Sequence, residues 1–258
     1  MDVGIRTLAE QDINTLATSQ QTQLGAVGVT ADGRKYRYVK FGGTSTIAPG
    51  QLLLTPPVTA NYQGRTITAV GTGGQVTANL SAGATQIVIT NGSTAVTADQ
   101  FAEGYLEVLV GSSGTSGSYS YKIKGNTAAA ASATFTVYLS EPLRNTTALV
   151  PGTDTVNLNP SLYSAIAAPG TTNDVPAGVT VVPVPNTSSV TNYGWVQTGG
   201  PALVLSDTSA ILVGSAVGIS TTAGTVAIAT AAAAAYVGYA HAANGSASKA
   251  IPVLLNIN

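Results

Sequence analysis

Cysteine is absent from this 258-residue chain, histidine occurs once, tryptophan once and methionine only at Met1. Without cysteine there is no disulfide, no zinc–thiolate site and no thiol catalysis. With a single histidine, a transition-metal site has too few ligands. Charge is scarce as well: 8% of the residues are Asp, Glu, Lys or Arg, against about a quarter in an ordinary soluble domain. The net charge of −1 gives no general attraction to nucleic acid or anionic lipid. Any large interface of such a chain has to be mainly uncharged.

What is abundant is 29 glycines and a polar surface of Thr, Ser, Asn and Gln alternating with Val, Ile, Leu, Ala and Tyr. A hydrophobic fraction of 44% is that of a globular protein. The length lets roughly 70–75% of the extended surface be buried, enough for two modules. Met1–Thr7 lacks the basic region and apolar run of a secretory signal, so none is expected. The stretch from Thr208 to Ser248 carries no Asp, Glu, Lys or Arg. Gly, Ser and Thr interrupt it and no basic cluster flanks it, so buried strands are expected there, not a membrane span.

The pattern along the chain is that of an all-β protein, an N-terminal arm followed by sandwich- or barrel-like modules. In residues 1–23, Ile5, Ala9, Ile13 and Leu16 share one helical face. That face has no obvious partner in the chain, so residues 1–23 are expected to be an arm that folds against a neighbouring subunit. Residues 24–60 form a first hairpin region: Val27/Val29 and Tyr36/Tyr38 alternate around Asp32-Gly33. A central module is expected over 61–168, with clean period-two runs at Gln86–Thr90, Tyr119/Tyr121/Ile123 and Phe135/Val137/Leu139, and a loop at Gly111–Gly117. A Pro-rich connection over 169–191 precedes a C-terminal β-domain over 192–258, which ends in a hairpin around Asn244-Gly245.

Candidate chemistry is thin. His241 stands before an Asn-Gly turn, and no Gly-x-Ser-x-Gly elbow accompanies it. Val70–Val76 misses the third glycine of a dinucleotide fingerprint. Asp99, Glu103 and Glu107 repeat every four residues, but Gly104 points to a turn entering a strand, and no calcium loop is present. Five Asn-x-Ser/Thr sequons, at Asn79, Asn91, Asn145, Asn186 and Asn244, are expected by chance in so Ser/Thr-rich a chain. Trp195 reads as a core anchor more readily than as a sugar platform. No catalytic residue, cofactor or metal is assigned.

The strongest charge feature is Arg34, Lys35, Arg37 and Lys40, four of the ten basic residues. Interleaved Tyr36 and Tyr38 allow a nucleic-acid reading. One short patch on a near-neutral protein binds nucleic acid weakly, and a protected edge strand facing an acidic protein surface fits better. With Ile5, Ile13 and Leu16 of the arm, these are the expected partner-contact residues.

Two stretches carry a resemblance. Tyr38–Ser45 with Ala48-Pro49-Gly50, then Gly104–Val108 and Tyr121–Asn126, resemble head-associated structural proteins of tailed bacteriophages. Gly194–Ala202, Val213–Val217, Val237–Ala240 and Pro252–Ile257 are similar to the small β-domain of capsid decoration (cement) proteins. The resemblance implies a virion protein on the capsid surface, bound to the major capsid protein and to copies of itself, with a trimer expected. It further implies that the protein stabilises contacts between capsid subunits, without catalysis and without nucleic-acid or membrane binding. The alternatives are a tail or baseplate component and a glycan-binding adhesin.

Overall fold

Short apolar runs separated by Gly and Pro can bury their side chains only by pairing with one another, and the computed structural model pairs them into two units. It describes residues 4–43, 45–71, 82–111, 117–144, 149–168, 175–186, 190–207, 210–229, 235–243 and 250–257. One unit comprises Met1–Pro57 and Leu162–Asn258; the other is Val58–Ser161.

The first unit begins with β1 (Arg6–Leu8), a four-residue helix α1 (Glu10–Ile13), β2 (Val27–Thr30), β3 (Lys35–Lys40) and β4 (Leu52–Thr55). The chain then forms the second unit. A short 3-10 turn at Ala60–Tyr62 leads into β5 (Arg65–Gly71), β6 (Gln86–Thr90), β7 (Tyr105–Val110), β8 (Gly117–Asn126), β9 (Thr134–Leu139) and β10 (Thr155–Asn159). Back in the first unit come β11 (Val175–Thr180), β12 (Tyr193–Leu205), β13 (Ala216–Ile219), β14 (Val226–Ile228), β15 (Tyr236–Ala240) and β16 (Ala250–Asn256).

In the second unit the strands close as a barrel in the order β10-β5-β6-β9-β8-β7. Its inside is filled from the alternating positions, Ile87/Ile89, Leu106/Val108, Tyr121/Ile123, Phe135/Val137 and Val156/Leu158, all buried. Closure leaves no free edge. Two polar side chains tie the loops down from within. Asn126 Oδ1 accepts the Phe101 N–H at 2.9 Å, and its amide donates to Thr97 O and Thr127 O. Asp154, only 2% exposed, accepts the Gly111 N–H at 2.6 Å and the Val150 N–H at 2.7 Å.

The first unit is built on β12. Its first half pairs antiparallel with β3 on one side and with β11 on the other, and its second half pairs with β16. The change of partner falls at a register shift between Gln197 and Gly199, beside Gly200 at φ +85°, a conformation that glycine adopts without strain. The sheet runs β1-β2-β3-β12-β16-β15-β13-β14, with β11 and β4 branching from β12. Leu52, Leu54 and Val179 of the branch face Val204, Val217, Val237, Val253 and Leu255 in one core. Leu53, Val39, Phe41 and Val196 meet in a second. A third, on the far face of β3, gathers Leu8, Ile13, Leu24, Tyr36, Tyr38 and Trp195.

Four expectations are corrected here. The subunit-binding arm expected over residues 1–23 is not confirmed: within residues 4–23 β1 pairs parallel with β2, and Ile13 is 2% exposed, closed over by the Tyr36–Trp195 core of its own unit. The long helical face over Ile5–Leu16 shrinks to α1, because Arg6–Leu8 gain a strand partner and Leu8 fills the space above Gly28. The 24–60 and 192–258 regions are one unit, not two, since β3 pairs along β12; the barrel spans Val58–Ser161 against the expected 61–168. The Pro-rich 169–191 stretch contains a sheet strand, β11, paired to β4 and β12 with a register shift between Pro176 and Gly178.

Replacing Asp154 by Ala leaves two barrel N–H groups without their charged acceptor. The urea unfolding midpoint should fall by the equivalent of about 2–4 kcal/mol; a change within error would show that those amides find other partners. Among the described residues, Tyr36 Oη is the buried side-chain polar atom with no hydrogen-bond partner. Burial pushes its phenol from the ordinary 10.0 up to about 12; Arg34 opposes the shift, while Glu10 and Asp32 add to it. Between those two values the unfolded chain has released a proton that the folded chain keeps. Rising pH therefore favours unfolding, by at most ~1.4 kcal/mol per pH unit from this group. Tyr36→Phe should unfold at the same temperature as the parent or higher near pH 8, and lose less stability between about pH 10 and 12. Thermal unfolding across that range, parent against variant, checks both.

Candidate functional site

The sequence nominated seven contact residues, and the structure does not bring them together. Arg34 is paired with Asp32 at 2.7 Å and with Glu10 of α1. Hydrogen bonds from Thr30 and then Arg34 hold Asp32 below the usual carboxylate range. Arg37 Nη1 donates to Gly25 O at 2.9 Å, and its guanidinium lies over the Tyr163 ring. Lys40 is half-buried and Lys35 is exposed beside Gly199. Of the arm residues Ile13 is core, Leu16 packs against the Phe41 core, and Ile5 is 71% exposed. The basic strand is not an edge: β3 lies between β2 and β12. Arg34 and Arg37 bond within their own unit, while Lys35 stays exposed.

The other candidates fall where single residues serve structure. Asp99 and Glu103, at φ +55° and +61°, form the turn before β7; Asp99 Oδ1 accepts the Asn126 N–H, and Glu107 accepts from Asn157 Nδ2. Among the described residues no group of three or more His, Cys, Asp or Glu could hold a metal. His241 is exposed just past β15, and Trp195 is 6% exposed, stacked edge-on to Tyr38. Asn91 of the sequons is buried, and Asn79, Asn145 and Asn244 lie outside the described residues, as do residues 72–76 of the glycine run and 112–116 of the Gly/Ser loop. No helix among the described residues is long and apolar enough to cross a membrane.

A surface that the charge pattern does not reveal emerges from strand register. Pro201 of β12, Leu254 of β16, Tyr239 of β15 and Ala216 of β13 lie side by side in one cross-strand row. At strand spacings near 4.8 Å that row runs about 14 Å. Leu203 and Pro252 are paired in a neighbouring row on the same outward face. Leu203 is 60% exposed, Leu254 52% and Tyr239 52%. Tyr236 stands edge-on to Tyr239, ring centroids 5.3 Å apart. Strands β12 to β16 contain no Asp, Glu, Lys or Arg. Contiguous apolar outer faces are a feature of contact sites, whereas scattered exposed apolar residues are not.

The signal for it was present in β16, where Ile251, Val253 and Leu255 point inward while Pro252 and Leu254 point out. A half-exposed antiparallel strand ordinarily carries polar residues on its wet side. No known protein family, curated protein or solved structure matches the chain.

Because Arg37 is bound and Lys35, among the described residues, is not, the two should separate on mutation. Arg37→Gln should cost about 1 kcal/mol, and Lys35→Gln close to nothing, in thermal unfolding. Equal effects would contradict the internal role of Arg37.

Proposed function

We propose that this chain is a non-catalytic virion structural protein that decorates the outside of a tailed-phage capsid and stabilises contacts between major capsid protein subunits. The observation that carries the reading is the uncharged apolar face of β12, β16 and β15, exposed on a well-packed unit. The resemblance of the Tyr38–Ser45 and Gly194–Ala202 stretches to head-associated and cement proteins supplies the setting. A shell protein makes many shallow contacts on neighbouring subunits. Each is of modest strength, and a symmetric oligomer multiplies them. Burying Leu203 and Leu254 against a shell subunit would contribute about 1.5–3 kcal/mol each. Such attachment is insensitive to salt, unlike exposed ion pairs.

Electron microscopy and subunit counting of purified particles test the setting. Hundreds of copies on the shell are expected; a handful at the tail tip would assign the protein to the baseplate instead. Leu203→Asp with Leu254→Asp should lower particle occupancy at least tenfold while leaving the unfolding temperature within a few degrees. A wash in about 1 M NaCl should leave the parent protein bound. Retention of the double variant, or clean stripping of the parent by salt, would show that another surface attaches it.

A further inference from the structure

Beyond Gly199 the strand β12 keeps a strand partner on one side only. Its β3 ladder ends at Gly199 and its β11 ladder at Gln197, while β16 pairs with residues 199–205. The flanking hydrogen bonds fix which way the backbone faces there. Ile257 donates its N–H to Thr198 O on the β16 side, His241 donates to Pro252 O on the β15 side, and Leu205 N–H turns away from β16 to Gly50 O. Backbone polar groups alternate along an antiparallel strand. Ala202 and Val204 therefore serve the β16 ladder, and Pro201, Leu203 and Leu205 face the opposite side. Pro201 and Pro252, which have no N–H, sit where the β12–β16 ladder needs none.

A groove of about 310 Å³ opens on that side, with Pro49, Val181, Pro201, Ala202 and Leu203 among its apolar walls and Gln197 lining it as well. Most backbone groups here are occupied. Pro201 O accepts from Gln197 Nε2 at 2.8 Å, and Gly50 packs so close to Leu203 O that a Cβ on it would stand 3.2 Å away. Two groups remain. Leu203 N–H has no acceptor among the described residues. Gln197, only 2% exposed, uses its amide nitrogen to donate to Gly199 O at 3.1 Å and to Pro201 O. Two carbonyl neighbours fix the nitrogen end of that side chain, so its other end is the oxygen. Oε1 accepts no hydrogen bond from a described residue, and it is not sealed off as Tyr36 Oη is. An unmatched carbonyl and an unmatched N–H beside one apolar groove are costly unless something in the groove meets them.

One donor and one acceptor along a strand edge are the complement of a main chain, which offers one N–H and one C=O per residue. The Gln197 carboxamide already stands beside Pro201 as a peptide group of a pairing strand would, its N–H on Pro201 O and its oxygen left for the next donor. Arg34 is the charged residue among those described around the groove, and Asp32 and Glu10 match its charge. Nothing there selects a charged ligand. Leu203 belongs both to the groove and to the apolar outer face, so a chain leaving the groove continues over apolar side chains. We propose that this groove binds an extended, uncharged segment of another polypeptide, which accepts from Leu203 N–H and donates to Gln197 Oε1. Pro201 and the bonded Leu205 N–H confine the pairing to a short stretch, so the edge captures one segment without starting an open-ended sheet. The assignment does not rest on the capsid reading.

Amide hydrogen exchange, followed by NMR on the isotope-labelled intact protein, tests the open edge first. Leu203 N–H should exchange at least about 100-fold faster than those of Ala202 and Val204, which the β16 ladder holds. Slow exchange would mean that the chain itself or a second copy already covers the edge, and would overturn the proposal. A display library of random linear peptides, about eight residues long, supplies the probe. Selected peptides should be poor in charge and bind with a Kd on the order of 1–100 µM. A bound peptide should shift the Gln197 side-chain amide and slow Leu203 exchange about tenfold or more. Leu203→Pro removes the N–H without touching the β16 ladder. It should weaken binding about tenfold or more and keep the unfolding temperature within a few degrees, whereas Leu203→Val should bind within about threefold of the parent. If Leu203→Pro does not fold, Leu203 exchange in the parent with and without peptide decides alone. The proposal fails if no selected peptide binds more tightly than about 1 mM, if Leu203→Pro binds like the parent, or if the selected peptides are rich in charge.

Discussion

The first unit depends on one strand being buried from both sides. In β12, Gly194 through Gly199 are buried without a break. Trp195 packs with Tyr38 beneath the β1–α1 segment, and Val196 packs with Val39 and Leu53 on the opposite face. No charge can sit in such a strand, and bulky residues cannot fill every position either. At Gly194 a Cβ would stand 3.0 Å from Leu16 and 3.1 Å from Phe41, so glycine lets those side chains close over the strand. Gly199 and Gly200 then let it turn from one set of partners to another. Loss of β12 would unseat β3, β11 and β16 together, since each pairs to it.

The barrel answers the same shortage of charge in another way. Three ion pairs occur among the described residues of the whole chain, and a single one, Arg144–Glu141, lies in the barrel. Its loops are held by buried polar side chains satisfied by backbone. Asn126 bonds Phe101, Thr97 and Thr127, and Asp154 bonds Gly111 and Val150. Hydrogen bonds of this kind hold at any ionic strength, whereas exposed ion pairs weaken with salt. Asp154 gave no signal in the sequence because a carboxylate between Thr153 and Thr155 looks like any loop acid. Its role exists only once Gly111, far away in the chain, is brought beside it.

That contrast runs through the whole comparison of sequence with structure. Local features were legible: the Val27–Thr30 and Lys35–Lys40 hairpin across Gly33, the alternation of Gln86–Thr90 and Thr134–Leu139, the Asp99–Gly104 turn and the burial of Trp195. All-β architecture followed from them. Features set by distant partners were not. Whether β3 is an edge depends on β12, more than 150 positions later by the numbering of Tyr38 and Trp195. The strand in the Pro-rich stretch depends on β4, and the docking of Ile13 on a core assembled from Tyr36 and Trp195. Charge clustering pointed to a surface patch, whereas Arg34 and Arg37 bond within their own unit and Lys35 stays exposed. The apolar outer face shows only when register places Pro201, Leu254 and Tyr239 in line.

An uncharged sheet surface is hazardous unless its edges are closed, because unpaired strand edges extend without limit while face contacts can be matched and finite. The first unit manages its edges by length and by cover. The terminal strands of the long sheet, β1 and β14, are three residues each, and β1 carries Arg6. On the branch, β4 pairs β11 along one side, and on its backbone Leu52 donates to Gly224 O and Leu54 to Ala167 O. No long free edge is left among the described strands to template further pairing. The outward side chains of β12, β16 and β15 are then the broad uncharged surface that the unit leaves exposed. A chain with few charges can thus remain discriminating: its short, covered edges limit what its broad neutral face would otherwise permit.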